Sequence, residues 1–129
     1  MILSEKSVAR LDDVHEDLQL VIYRAAEIID DLDMEFVVTE GVRSIEKQRQ
    51  LLAKKATTTL KSRHLTGHAV DLAVVVDGEI RWDWPLYYEL ADVVKEAAHI
   101  EGVPIEWGGD WKAGFRDGPH FQLPWKAYP

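Results

Sequence analysis

Apolar residues recur with a helical period at Leu11, Val14, Leu18, Val21, Ile22, Ala25, Ala26, Ile28 and Ile29. Asp12, Asp13, Glu16 and Asp17 crowd the start of that segment, where a helix dipole favours negative charge. The pattern predicts a helix over about residues 13–32, with His15 a solvated residue on its polar side. Phe36-Val37-Val38-Thr39 then reads as a short strand ended by Glu40-Gly41. Ser44 fits the N-cap of a second helix that carries Gln48, Leu51 and Leu52 and runs out near Lys55, with Lys47 where a Glu would complete a capping box. Arg43 falls in the turn between strand and helix, where rigid scaffold on both sides suits a functional side chain. A salt bridge to one of the many acids is the plainer reading of the same residue.

Residues 56–61 form a polar stretch that reads as an exposed loop, of a kind that often covers a neighbouring site. Leu72-Ala73-Val74-Val75-Val76, Asp77-Gly78 and Glu79-Ile80-Arg81-Trp82 give a β-hairpin. Asp83 as cap and Pro85 near the first turn open a helix over about residues 86–100, closed by Gly102. A short strand in residues 103–107, a glycine- and tryptophan-rich connection and a last strand in residues 118–123 complete the chain. The order α, β, α, ββ, α, ββ predicts an α+β fold, a small antiparallel sheet with helices packed on it. With no repeat, low-complexity segment or linker, residues 1–129 are expected to form a single domain.

Composition narrows the functions. The 23 acidic residues outnumber 15 basic ones for a net charge of −8, and without a basic patch nucleic acid is not an expected partner. There is no cysteine, so a transition metal would be held by His, Asp or Glu. No apolar run approaches a membrane span, and the first residues lack the basic start and apolar core of a secretory signal. A monomer made in the cytoplasm is expected, without membrane insertion and delivered by other means to any substrate outside.

The chemistry concentrates in Ser62-Arg63-His64-Leu65-Thr66-Gly67-His68-Ala69-Val70-Asp71-Leu72 and in Asp117-Gly118-Pro119-His120-Phe121. His64 and His68 have the spacing of an HExxH zinc helix, but Leu65 stands where the catalytic Glu belongs, and Gly67 before a β-rich run argues against helix. On a strand, Asp71, Ala73 and Val75 share a face, and His64 can fold back toward Asp71 through a turn at Gly67. His64, Asp71 and His120 would then supply the three ligands of a hydrolytic zinc that keeps one position for water. Asp117 is the first candidate for the general base, with Glu106 and Asp110 in reserve. Taken singly, each of these residues is more often packed or solvated than a ligand. Trp107, Trp111 and Phe121 read as core and pocket wall.

Ser62-x-His64-x-x-Gly67-x-Ala69-x-Asp71 together with Asp117-x-x-His120-Phe121 resembles the peptidase M15 family of VanX/VanY-like zinc D,D-carboxypeptidases and dipeptidases. Gly41-x-Arg43-Ser44 and Trp107-Gly108-Gly109-Asp110-Trp111 are most similar to its phage endolysin branch, the L-alanyl-D-glutamate endopeptidases. The likeness runs from about Arg10 to Leu123. It implies a Hedgehog/D-Ala-D-Ala-peptidase-like zinc peptidase fold, with His64, Asp71 and His120 as zinc ligands and Asp117 as base. An Asp rather than a Glu at that position favours the endopeptidase branch. Arg43 matches the arginine that stabilises the substrate carbonyl as it becomes an oxyanion. Ser62 matches a serine at the site; His68, Trp107 and Asp110 are expected as substrate-contacting or supporting residues, His68 equally as a surface one. The implied activity is cleavage of the L-alanyl-D-glutamate bond in peptidoglycan stem peptides during phage lysis, the enzyme waiting in the host cytoplasm before acting on the wall. The alternatives are a D,D-carboxypeptidase or D-Ala-D-Ala dipeptidase of the same family, and a non-catalytic, metal-stabilised wall-binding domain.

Overall fold

A computed structural model describes residues 1–57, 59 and 61–129; within the loop expected at residues 56–61, Thr58 and Leu60 lie outside the described residues. The chain begins with a helix that the apolar pattern did not announce, α1 (Glu5–Leu11), too short to show a repeating stripe. Ser4 caps it by accepting from the Ser7 N–H at 3.2 Å. The buried Ser7 hydroxyl accepts from the Val38 N–H at 2.9 Å, and Arg10 donates to the Val38 carbonyl at 3.0 Å. Both polar backbone groups of an edge residue are thereby satisfied, and the edge of the sheet is covered.

Helix α2 (Glu16–Ile28) is shorter than the expected 13–32, and its last turn tightens to a 3-10 turn at Ile29–Asp31. Asp12 and Asp13 belong to the junction with α1, because His15, expected to be a solvated surface residue, is the N-cap. Its Nδ1 accepts from the Asp17 N–H at 3.1 Å, and its own N–H is held by the Gly67 carbonyl at 2.8 Å. Strand β1 (Glu35–Glu40) leads to α3 (Ile45–Ala53), where Ser44 caps as expected, accepting from Lys47 N–H at 3.1 Å. The expected hairpin forms from β2 (Ala69–Val76) and β3 (Glu79–Arg81). Helix α4 (Trp84–Glu101) follows, with Pro85 in its first turn and Gly102 ending it in a left-handed conformation, φ 69°. Asp83 occupies the N-cap without capping, since its carboxylate is paired with Arg81 at 2.6 Å. The last strands are shorter than expected, β4 (Glu106–Trp107) and β5 (His120–Gln122).

The sheet is antiparallel with order β1-β2-β5-β4, and β3 pairs with part of β2. Helices α2 and α4 pack together against one face. Leu18, Val21, Ile22, Leu90 and Val94 from the helices join Phe36, Val38, Val70, Leu72, Val74 and Phe121 from the sheet in one buried core. This is the expected α+β arrangement. Strand periodicity sends Asp71, His120 and Gln122 to the opposite face. The core fixes the register, because slipping one residue would turn Val70, Leu72 and Val74 out of it.

Candidate active site

The pairing of β2 with β5 sets Asp71 opposite His120 and Val70 opposite Phe121. Asp71 and His120 are therefore a cross-strand pair on one face, forty-nine positions apart in sequence. His64 reaches them from a 3-10 turn, Arg63–Thr66, in which Ser62 accepts from the His64 N–H at 3.2 Å. Gly67 ends the turn at φ 75°, a conformation costly for other residues. Asp117 stands in the turn before β5, where the His120 N–H donates to the Asp117 carbonyl at 3.2 Å. The D-x-x-H spacing is thus that of a tight turn presenting both side chains to one cleft.

A β-bulge supplies the next layer. Between Val38 and Glu40 the register with β2 shifts, so Glu40 rather than Thr39 lies opposite Asp71. Glu40 accepts from Arg43 Nε and from Lys47 Nζ, the latter at 2.8 Å. Burial pushes the Glu40 carboxyl up, but the hydrogen bonds from Lys47 and Arg43 outweigh it and hold the group below its ordinary value. Arg43 Nη1 donates to the fully buried Gln48 at 2.7 Å, and its Nη2 lies 3.9 Å from Asp71. Gln48 in turn donates to the Thr59 carbonyl at 2.6 Å.

Each histidine has its outer nitrogen committed. His64 Nδ1 lies 2.8 Å from the Gly41 carbonyl, which can only accept, so it carries the proton and leaves Nε2 free. At His120 the same logic runs through two side chains. The Glu106 carboxylate can only accept, at 2.8 Å, which turns the Gln122 amide nitrogen toward it and the Gln122 oxygen toward His120 Nε2, also at 2.8 Å. His120 is then protonated at Nε2 and bare at Nδ1. Both bare nitrogens, His64 Nε2 and His120 Nδ1, face the same Asp71 oxygen at 3.2 Å. Lone pairs aimed at a carboxylate require either an added proton on each ring or a cation between them. Ligand atoms about 2.0–2.1 Å from a tetrahedral zinc stand roughly 3.3–3.4 Å apart, so the spacing suits a metal with little rearrangement. Among the described residues, His64, Asp71 and His120 form the group able to hold an ion, with ligand atoms within 4.8 Å of one another.

The charges respond to this arrangement. Burial pushes Asp71 up, but hydrogen bonds from His120 and His64 outweigh it and hold the carboxyl far below its ordinary value. Burial pushes His120 down, and its hydrogen bond and charge contact with Asp71 more than reverse that, leaving it raised. Asp117 is raised, first by removal from bulk water in the cleft wall and then by repulsion from Asp71, against the pull of His120, His64 and Arg43. Asp117 nevertheless remains exposed along the cleft.

Arg43, Ser62, His64, Asp71, Asp117 and His120 all line one cleft of about 390 Å³, walled also by Trp111, whose ring lies 5.1 Å from that of His120. A larger hollow of about 880 Å³ lies at the far end of the β1–β2 pair around Met1, Leu32 and Val76 and contains none of these groups. Other expected residues fall elsewhere. Trp107 is buried and donates to the Gly118 carbonyl at 2.7 Å, bracing the turn that carries Asp117 from the core side. Asp110 is exposed and paired with Lys95 at 2.7 Å, and Glu106 is spent on Gln122. His68 does not line the cleft; it lies against His15 and Tyr128, with ring centroids 5.4 and 6.4 Å away. Glu40, Gln48 and Gln122 escaped the sequence reading. Gln122 alone had a signal, since two residues past His120 on a strand is the same face.

A sheet that brings two histidines and an aspartate together beside a raised aspartate defines a peptidase-type domain of the D-Ala-D-Ala-peptidase fold with a candidate metal centre. The vancomycin-resistance D,D-dipeptidase VanXYg shares that fold, at TM-score 0.55 and 22% identity over 85% of this chain and 50% of its own. More specific is the match of residues 1–123 to the phage L-alanyl-D-glutamate peptidase family model, and the chain belongs to that family. The L-Ala D-Glu endopeptidase ChiX of Serratia marcescens superposes with TM-score 0.89 at 42% identity, covering 98% of this chain and 92% of that one. The L-alanyl-D-glutamate peptidase of Escherichia phage T5 is 30% identical over 135 residues, 93% of each chain. The Listeria phage A118 enzyme of the same name is 27% identical over 95% of this chain, which spans 42% of its length.

Proposed function

We propose that the chain is a zinc-dependent peptidoglycan endopeptidase that hydrolyses the L-alanyl-D-glutamate bond of stem peptides, serving as an endolysin that waits in the host cytoplasm until lysis. The observation that carries the reading is the carboxylate of Asp117 lining the same cleft as the His64, Asp71 and His120 group. The relatives from two phages support the lysis role.

His64 Nε2, His120 Nδ1 and Asp71 would hold the zinc. When bound, it would polarise the scissile carbonyl and acidify a water molecule toward a pKa of about 7. Asp117 takes the proton from the attacking water and delivers it to the leaving nitrogen as the C–N bond breaks, so L-alanine leaves as a carboxylate and D-glutamate gains a free amine. Asp117 suits that shuttle by its place, lining the same cleft as the three candidate ligands. Arg43, held by Glu40 and Gln48, directs its remaining N–H groups at the carbonyl oxygen as negative charge develops there. Ser62 fixes the turn that aims His64.

Digestion of purified sacculi by the zinc-loaded protein, with the new amino termini identified by mass spectrometry, tests the reading. New glutamate amines that vanish on chelation are expected. Release of free D-alanine, or glutamate amines that persist after chelation, would overturn it.

A further inference from the structure

A second pocket of about 220 Å³ adjoins the cleft. Its walls are Trp82, Trp84, Tyr87 and Arg116, and it meets the cleft at Asp117, which lines both. Trp82 lies parallel to Tyr87 on one side, at 2° and 6.0 Å between centroids, and remains 60% exposed. A tryptophan stacked on one face and largely exposed offers a flat apolar platform. Trp84 carries the Arg116 guanidinium 4.2 Å above its ring. Arg116 Nε donates to the Gly109 carbonyl at 3.0 Å and Nη2 to the Tyr88 hydroxyl, which leaves Nη1 without a protein acceptor among the described residues.

Resting on the function proposed above, we propose that this pocket is a glycan subsite: it seats the amino sugar that carries the stem peptide, with the sugar's C–H face on Trp82 and its acetamido or ring oxygen on Arg116 Nη1. The pocket suits a neutral pyranose in three ways. Its volume is that of about one sugar ring. Its two charges, Arg116 and Asp117, oppose each other, so no net charge is left to select an ion. Aromatic faces carry the negative side of a quadrupole, which the weakly positive C–H bonds of a pyranose match. Position agrees as well. In peptidoglycan, L-alanine is joined to the sugar through one lactyl unit, so the ring lies about two chain units, roughly 7 Å, from the scissile carbonyl. The pocket shares Asp117 with the cleft and so opens beside it.

Two measurements on the zinc-loaded full chain test the subsite. In the first, a β-1,4-linked N-acetylglucosamine tetramer is titrated while the indole N–H resonances are followed by NMR. Shifts of Trp82 and Trp84 are expected in the parent, and the Trp84 shift should be abolished in Trp82→Ala and retained in Trp82→Tyr. No shift at millimolar sugar, or an equal shift of the exposed Trp125, would overturn the proposal. In the second, kcat/KM is compared for a stem peptide joined to its amino sugar and for the free peptide. Trp82→Ala should lower the ratio of the two by about tenfold, and a ratio unchanged from the parent would show that the pocket does not read the sugar. If neither substrate is cut, the peptidase reading fails, while the titration still decides the subsite.

Discussion

Replacing Gln122 by Leu tests whether the candidate metal site is tuned from outside the three residues proposed to hold the ion. Leucine keeps much of the volume of a side chain that is 6% exposed but removes the oxygen that accepts from His120 Nε2 at 2.8 Å. His120 is itself only 7% exposed, so its N–H is left without a partner or water. A buried donor stranded in this way costs ~1–3 kcal/mol. With an unfolding entropy of about 2.1 cal/mol/K per residue, a chain of this length loses roughly 4 °C of Tm per kcal/mol. The metal-free variant should therefore melt about 4–11 °C lower, less whatever the apolar leucine recovers. Zinc affinity should fall by about 10–100-fold, because the ring is free to carry its proton on Nδ1, where the metal would bind. Glu106 is exposed and loses little when its partner goes. Differential scanning fluorimetry of the chelated protein and zinc titration against a competing chelator measure the two effects separately. Unchanged zinc affinity together with an unchanged metal-free Tm would refute the account of how His120 is oriented.

Asp117→Asn should reduce sacculus cleavage by about 10²-fold or more while zinc binding survives, and should leave Tm equal or higher, since it removes a charge that burial and Asp71 disfavour; loss of zinc would contradict the division of roles. Gly41→Ala should cost roughly 2–4 kcal/mol in urea unfolding, because a Cβ there would fall 1.9 Å from the Arg10 carbonyl oxygen, and an unchanged midpoint would show that α1 can shift freely. The pH dependence of stability should differ between the two metal states. His120 has a raised folded pKa, so its contribution is complete below the ordinary value of about 6.5 and is lost as pH rises through the folded value. Asp71 has a lowered one, so its contribution is complete above about 3.9 and is lost as pH falls. The metal-free protein should accordingly be most stable between about pH 4 and 6.5, while zinc, which needs deprotonated ligands, should add most above that range. Parallel Tm curves with and without zinc would sink this reasoning.

Much of this was legible along the chain. Periodicity located α2, α4 and the hairpin, and Ser44 marked the start of α3, because local pattern and capping chemistry act over a few residues. Helix α1 was not legible: at 7 residues it buries Leu11 and Ser7 without repeating a stripe, and its reason for existing is the open edge at Val38. His15 was misread for the same reason, since its role as a cap depends on where α1 stops.

The residue types and spacing of Ser62 to Asp71 and of Asp117 to His120 determined which groups were candidates and which chemistry they could perform. Convergence was decided elsewhere. The register of β2 on β5 is set by Val70, Leu72, Val74 and Phe121 in the core, and it places Asp71 across from His120. One bulge at Thr39 brings Glu40 and hence Arg43 into the same cleft, and Gln122 with Glu106 chooses which nitrogen of His120 is bare. These are long-range pairings whose partners are chosen by burial and by acceptor geometry in three dimensions, and neither quantity is written in the spacing of residues along the chain.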